Sequence, residues 1–136
     1  MVRGSCALVD VMPTLLDLAA VRPPPGLDGR SLLPLARGQE AGHPAYAEEE
    51  RRVHGEAVQR SVRVVSMRTE AAKILLTYDL RTLALERTEL YDLVADPGEA
   101  SSLPESEEER FGPAFCLAAA RLRASIPGVS PRPPCR

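Results

Sequence analysis

The distribution of proline divides this chain of 136 residues into a region that can form a sheet and regions that cannot. Thirteen residues are proline, about twice the usual share of roughly 5%, yet none lies between Ala45 and Asp96. Proline lacks a backbone donor and disfavours central strands. We therefore expect the sheet within residues 45–96. Four of the last ten residues are proline, which predicts a disordered tail.

Inside the proline-free region, apolar residues mark five short candidate strands. Residues 61–68 are rich in valine, and residues 73–78 alternate, with Ile74, Leu76 and Tyr78 on one face. The short break between these two segments predicts an antiparallel hairpin. The remaining strand candidates are residues 45–48, 82–86 and 88–93.

Segments on either side of this region have other patterns. Residues 5–9 are mostly apolar and predict a buried strand, and Asp10 predicts the N-cap of a helix that ends by Val21. The Ser-x-x-Glu pattern at residues 102–105 predicts a capping box and a short helix to Phe111. We expect a second helix, packed on the sheet, to begin near Pro113 and to present one apolar face: Phe115, Ala119, Leu122 and Ile126.

Charge and hydropathy exclude two classes of partner. Seventeen basic and nineteen acidic residues give a net charge of −2. The chain therefore lacks the excess of basic residues that is typical of nucleic-acid-binding proteins. No apolar stretch approaches the roughly 20 residues of a membrane span, and we expect no membrane partner. The N-terminal residues lack the apolar run of a signal peptide, which leaves the localisation unknown.

No residue pattern predicts an active site. The sequence has no Gly-x-Ser-x-Gly elbow, no His-Glu-x-x-His helix and no glycine-rich phosphate loop. His43 and His54 lie in polar surroundings, which predicts exposed loop side chains. Capping explains Asp10 and solvent explains Asp17, while Tyr91 is expected in a core or interface.

The charged run at residues 49–59 is expected to be exposed. Glu48, Glu49 and Glu50 are consecutive, so their side chains point in different directions and are unsuited to binding one cation. A solvated stretch is the interpretation that we favour.

Three cysteines, Cys6, Cys116 and Cys135, form no Cys-x-x-Cys pair, which argues against a zinc site of the usual spacing. We favour three buried or idle thiols over a redox role. One disulfide with one free thiol stays an open alternative.

Several short motifs nevertheless resemble those of the formylglycine-dependent sulfatases of the alkaline-phosphatase superfamily. Residues 9–19, Val-Asp-Val-Met-Pro-Thr-Leu-Leu-Asp-Leu-Ala, are similar to the D-x-x-P-T-L-L-x-L-A segment of that family. Residues 23–35 then resemble its proline-rich link and D-G-[RK]-S-L turn. The family often has glycine where this chain has Ala20, so a glycine helix terminator is absent.

The later motifs follow in the family's order. Residues 45–48 resemble a strand ending in glutamate, and residues 61–63 and 73–75 resemble the next two strands. Residues 89–99, Glu-Leu-Tyr-Asp-Leu-Val-Ala-Asp-Pro-Gly-Glu, match the signature E-L-Y-D-L-x-x-D-P-x-E. The resemblance covers residues 9 to about 103 and corresponds to the C-terminal quarter to third of a sulfatase.

The resemblance implies an α/β (α+β) fold in three parts. Residues 1–38 are expected to be the terminal strand–helix unit of the large α/β domain with its proline-rich link. Residues 39–126 are expected to form the C-terminal subdomain, a small antiparallel sheet of about four strands with a C-terminal helix packed on it. Residues 127–136 are the expected tail.

Catalysis in the family uses a formylglycine made from Cys-x-Pro-x-Arg or Ser-x-Pro-x-Arg, together with a calcium ion. Neither motif occurs in this chain, since the Ser-x-Pro runs at residues 102–104 and 125–127 lack the arginine. No catalytic, cofactor-binding or metal-binding residue is therefore assigned here. Calcium is expected in the whole family enzyme, and the N-terminal catalytic domain is the expected partner.

Two hypotheses of function follow. In the first, the chain is the C-terminal fragment of a sulfuric ester hydrolase, inactive alone, in which residues 39–44 and 49–59 help to wall the cleft for a sulfate-ester substrate. In the second, it is a free-standing interaction or carbohydrate-binding module derived from a sulfatase. The ordered motifs favour the first.

Overall fold

The computed structural model describes residues 4–54 and 59–126, with the side chains of residues 53, 54, 59 and 60 left out. Two compact units, Met1–Ala45 and Tyr46–Arg136, divide the chain. The predicted tail, residues 127–136, lies outside the described residues. Among the residues described, no helix has the length and apolar character needed to cross a membrane.

The first unit begins with a 3₁₀ turn where a strand was predicted. Leu8–Asp10 form this turn and lead directly into helix α1, Val11–Leu18. Ala7 has extended backbone angles, φ −124° and ψ 160°, but a strand also needs a neighbour that pairs along its length. The prediction of a strand over residues 5–9 is therefore wrong. Helix α2, Leu33–Ala36, completes the regular structure described in this unit.

The C-terminus of α1 closes with two backbone hydrogen bonds around Ala20. The N–H of Ala20 donates to Asp17 O at 3.1 Å, and the N–H of Val21 donates to Leu16 O at 2.8 Å. This is the Schellman pattern, in which the residue after the cap takes a left-handed conformation that favours glycine. Ala20 occupies that position with φ +55°. The helix thus ends where predicted, but without the glycine.

The second unit contains a four-stranded antiparallel sheet in the order β1-β2-β3-β4. Its central hairpin matches the prediction: Val65 lies opposite Leu76, and Met67 lies opposite Ile74. Burial alternates along β3, as expected for a strand with one face on the core. The strands are Ala45–His54 (β1), Gln59–Arg68 (β2), Ala72–Asp79 (β3) and Leu85–Asp92 (β4).

Two strand predictions need correction. Strand β1 continues through the charged residues to His54 instead of ending at Glu48. The two strands predicted over residues 82–86 and 88–93 are one strand, β4, because the residues before it form a turn. Asp79 Oδ1 accepts the N–H groups of Arg81 and Thr82, each at 2.8 Å, and so holds that turn.

Helix α3, Gly112–Ala124, packs on β2 and β3 and closes the core. Phe115, Ala119 and Leu122 are buried among the apolar side chains of the sheet, as predicted. The predicted capping box is wrong. Its serine, Ser102, instead accepts the N–H of Leu90 at 3.1 Å and covers part of the free edge of β4, while a 3₁₀ helix spans Glu105–Phe111.

Candidate functional site

The most enclosed polar group of the first unit is the carboxylate of Asp10. Its side chain is fully buried, with 0% exposure. Oδ2 accepts the N–H of Ala7 at 2.8 Å, and Oδ1 accepts the N–H of Arg30 at 3.0 Å. Asp10 occupies the predicted N-cap position of α1, but its side chain makes no capping hydrogen bond to that helix. The carboxylate instead joins the start of α1 to the Asp-Gly-Arg-Ser loop.

His43 lies against this carboxylate. Its Nε2 is 3.0 Å from Asp10 Oδ2, close enough for an ion pair although without the alignment of a hydrogen bond. Its Nδ1 lies 3.2 Å from Pro44 O, an acceptor for a proton on that nitrogen. The prediction of an exposed loop histidine is therefore wrong for His43. His54 lies in β1, and its side chain is outside the described residues.

Two further side chains of α1 bind the same loop. Thr14 donates its hydroxyl to Asp10 O at 2.6 Å and accepts the N–H of Leu32 at 2.9 Å. Asp17, predicted to face only solvent, accepts the hydroxyl of Ser31 at 2.5 Å. Asp10, Thr14 and Asp17 therefore all bind the same loop and hold it against helix α1. All three belong to the segment that resembles D-x-x-P-T-L-L-x-L-A.

Electrostatics favour the ionised form of Asp10. Burial acts to raise the pKa of this carboxyl, but the N–H donors of Ala7 and Arg30, together with the neighbouring His43, outweigh it and hold the pKa below its ordinary value. A buried carboxylate is stable only where donors or a cation compensate its charge. The N–H groups of Ala7 and Arg30 are such donors, so Asp10 forms a satisfied anchor within the first unit.

The polar atoms around Asp10 are already used by contacts within the first unit. Both oxygens of Asp10 are engaged, and the hydroxyl of Thr14 already donates and accepts. The described part of the chain contains no group of three or more His, Cys, Asp or Glu side chains that could hold a metal. Calcium takes six to eight oxygen ligands, so the residues present here do not fit a calcium site.

The charged run lies on β1 and pairs across the sheet. Arg63 of β2 lies 3.0 Å from Glu48 and 3.8 Å from Glu50, and Arg51 lies 2.7 Å from Glu49. Glu48 and Glu50 share Arg63, whereas Glu49 between them pairs with Arg51. The consecutive carboxylates thus point in different directions, as predicted, although the first and third lie on one face of the strand. Residues 49–59 were expected to be exposed. The side chains of residues 49–52 are exposed as expected, and their backbone belongs to β1.

Other predicted residues have structural roles. Tyr91 is half-buried on β4 and donates its hydroxyl to Glu89 at 2.8 Å; that bond and burial raise its pKa. Cys6 is an exposed free thiol. Cys116 is buried and disulfide-bonded, so the preference for three idle thiols is wrong for Cys116, and the alternative with a disulfide is the one observed.

A buried ion cluster in the second unit was missed in the sequence. Arg123 of α3 is 3% exposed and binds Glu108 at 3.0 Å and Glu105 at 2.9 Å. Arg123 lies in the last turn of α3, where a cation also interacts favourably with the helix dipole. The spacing of Glu105 and Glu108 along one helical turn is the signal that could have predicted a shared cation.

Most of the chain matches a known protein family. The profile of the family described as N-sulphoglucosamine sulphohydrolase, C-terminal, matches residues 4–111. No curated protein matches the sequence at a significant level.

Two solved structures from Bacteroides thetaiotaomicron are similar to the chain. A candidate sulfatase is 33% identical over 82% of this chain and 22% of its own, with a TM-score of 0.48. A protein described under the metabolism of multiple glycosaminoglycans is 20% identical over 84% of this chain and 24% of its own, with a TM-score of 0.56, which supports the fold. The chain spans less than a quarter of either solved protein.

The family match covers more than half of the chain and agrees with the resemblance to sulfatases drawn from the order of the motifs. The chain therefore belongs to the N-sulphoglucosamine sulphohydrolase C-terminal family and corresponds to the C-terminal part of a sulfatase.

Proposed function

We propose that the chain is the non-catalytic C-terminal part of a sulfuric ester hydrolase and helps to wall its substrate cleft. The observation that carries this proposal is the family match over residues 4–111. The nucleophile and the calcium ion are assigned to the N-terminal part of the enzyme, because this sequence has neither formylglycine motif and its buried carboxylate, Asp10, does not fit calcium.

The loop at residues 39–44 is suited to a place beside a cleft. His43 anchors it on Asp10, and Glu40 lies 3.6 Å from Arg30. Arg30 also donates to Ala41 O at 3.3 Å. A loop held at several points presents its remaining groups in a fixed position, which is what a substrate-positioning wall requires.

The first unit also has a surface suited to a neighbouring domain. Leu8 is 90% exposed and Leu18 is 64% exposed. Burying such a side chain contributes about 1.5–3 kcal/mol, and large exposed apolar patches mark interaction sites. We assign this surface to contact with the N-terminal catalytic domain. Its members are Leu8, Val9, Val11, Met12, Leu15 and Leu18.

Activity measurements test the proposal. The chain of residues 1–136 is expected to release no product from an aryl sulfate in the presence of calcium, because it lacks an activated nucleophile. The whole sulfatase serves as the positive control. Calcium-dependent hydrolysis by the purified chain, lost on mutation of one of its own residues, would overturn the non-catalytic role.

The cleft-wall role has a separate test in the whole enzyme. We expect Glu40→Ala to change kcat/KM for large sulfate esters by several-fold and to leave small aryl sulfates nearly unaffected. Asp28→Ala, at an exposed position of the same unit, is the matched control. Equal effects on large and small esters would contradict a role in the cleft wall.

A further inference from the structure

A concave surface lies beside helix α3 in the second unit. The helix packs on β2 and β3, and the same face of the neighbouring edge strand β1 extends beyond the helix. An open cavity of about 510 Å³ lies between β1 and the last turns of α3. Its volume falls within the range of about 300–1,000 Å³ found for small-molecule sites. Val65 and Leu122 provide apolar lining, while Tyr46, Glu48, Arg121 and Ser125 provide polar groups.

Arg121 gives this cavity a free cation. Within the part of the chain that the structure describes, its guanidinium has no carboxylate partner, whereas Arg63 and Arg123 are both engaged by glutamates. An unengaged guanidinium presents a planar fork of donors that fits the paired oxygens of a sulfate or carboxylate. The cavity therefore has a position for one anionic group.

The opposite wall is suited to a sugar ring. Tyr46 is 48% exposed on β1, and an exposed aromatic ring offers an apolar face with a polar hydroxyl at its edge. Glu48 lies 3.0 Å from Arg63, which compensates its charge and orients its carboxylate as an acceptor for hydroxyl groups. On the side of α3, Ser125 donates to Leu122 O at 2.7 Å, which leaves its hydroxyl oxygen able to accept.

We propose that this cavity binds one anionic sugar unit of an oligosaccharide, with Arg121 on the sulfate or carboxylate and Tyr46 against the ring. The inference rests on the proposed function in one respect, since a sulfatase substrate supplies such a unit. The cavity lies wholly within the second unit, so its binding can be measured apart from hydrolysis.

The test is a titration of the 136-residue chain, followed by NMR shifts and calorimetry, with a sulfated disaccharide, its desulfated counterpart, a uronic-acid disaccharide and inorganic sulfate. We expect the anionic disaccharides to bind, and to bind at least about tenfold more tightly than the desulfated one. Comparison of the sulfated and uronic disaccharides identifies which anionic group is preferred. Binding of inorganic sulfate as tight as that of the disaccharides would overturn the role of the sugar ring.

Variants distinguish this cavity from other sites. Arg121→Ala and Tyr46→Ala are each expected to weaken binding about tenfold or more, whereas Arg81→Ala, at an exposed arginine on the β3–β4 turn, leaves it unchanged. Circular dichroism verifies that each variant is folded. No binding by the natural chain, or undiminished binding by folded Arg121→Ala, would overturn the proposal while leaving the family membership and the hydrolysis test unaffected.

Discussion

Asp10 connects two backbone segments that are distant in sequence, and its charge makes that connection sensitive to acid. Its pKa is lowered from the ordinary value in the folded unit, since two backbone N–H groups donate to the carboxylate. The stabilisation it provides is complete above the unfolded value and is lost as the pH falls through the folded pKa. We therefore expect the contact between Asp10 and Arg30 to loosen in acid. The NMR signal of the Arg30 amide, recorded from about pH 5 to about pH 2, measures this change.

The matched variants for this prediction are Asp10→Asn and the exposed Asp28→Asn. Asp10→Asn should remove much of the acid dependence of the Arg30 amide, because the amide side chain does not titrate. Asp28→Asn should leave that dependence in place. An unchanged acid response in Asp10→Asn would show that other carboxylates control the unit.

Ala20 provides a second prediction at the residue scale. Its left-handed backbone, φ +55°, costs a residue with a Cβ roughly 1–2 kcal/mol, whereas glycine adopts it freely. After the greater chain entropy of glycine is subtracted, we expect Ala20→Gly to stabilise α1 by about 0.5–1 kcal/mol. Ala19→Gly, at φ −82°, should instead destabilise it. Hydrogen exchange of the α1 amides measures both, and the same sign for both variants would refute the argument.

Sequence reasoning at this scale located residues but not their partners. The motif containing Asp10, Thr14 and Asp17 was recognised, yet capping and solvent were the roles predicted for its aspartates. Local patterns favour local explanations, because nothing in the sequence shows that Arg30 and His43 return to the same carboxylate. The burial of Asp10 depends on the tertiary path of the loop, and that path has no short sequence signature.

At the scale of elements, the ion cluster of Arg123 determines how the 3₁₀ helix Glu105–Phe111 attaches to α3. Replacing Arg123 by Met leaves Glu108, itself buried, without its cation, which costs about 3–5 kcal/mol. We expect Arg123→Met to lower the urea midpoint strongly and Arg121→Met, on the exposed side of the same helix, to change it little. The double variant Arg123→Met/Glu108→Met should recover part of the loss. No recovery would indicate that shape, not charge, holds the contact.

The elements predicted well are those whose burial follows a period. The hairpin of β2 and β3 alternates, and α3 presents Phe115, Ala119 and Leu122 at helical spacing. The end of β1 was missed because edge strands tolerate charged residues, which remove the apolar alternation. The strand predicted over residues 5–9 is absent although its composition is apolar. Its apolar composition was right for a strand, but its backbone lacks a pairing partner along its length.

At the scale of the whole molecule, the two units differ in how far they bury their apolar side chains. The second unit buries its core between the sheet and α3, with Met67, Ile74 and Leu76 all fully buried. The first unit is held by polar contacts around Asp10, and its large apolar side chains on α1 are mainly exposed. Polar contacts of this kind contribute about 0.5–1.5 kcal/mol each. The first unit therefore has less to stabilise it when its apolar surface has no partner.

This difference predicts unequal hydrogen exchange in the isolated chain. We expect the amides of β2, β3 and α3 to be strongly protected, and those of residues 5–20 to exchange faster by a factor of roughly 100 or more, since a deficit of about 3 kcal/mol corresponds to that ratio. As an internal control, the exchange rate of the Leu76 amide in the sheet is compared with that of the Leu15 amide on α1. Leu15→Gln, at a half-exposed position, should leave the exchange of residues 5–20 nearly unchanged in the isolated chain but weaken its association with the catalytic part of the enzyme. Strong, uniform protection of residues 5–20 in a monomer would contradict the proposed docking surface, because it would show that the first unit is stable without a neighbouring domain.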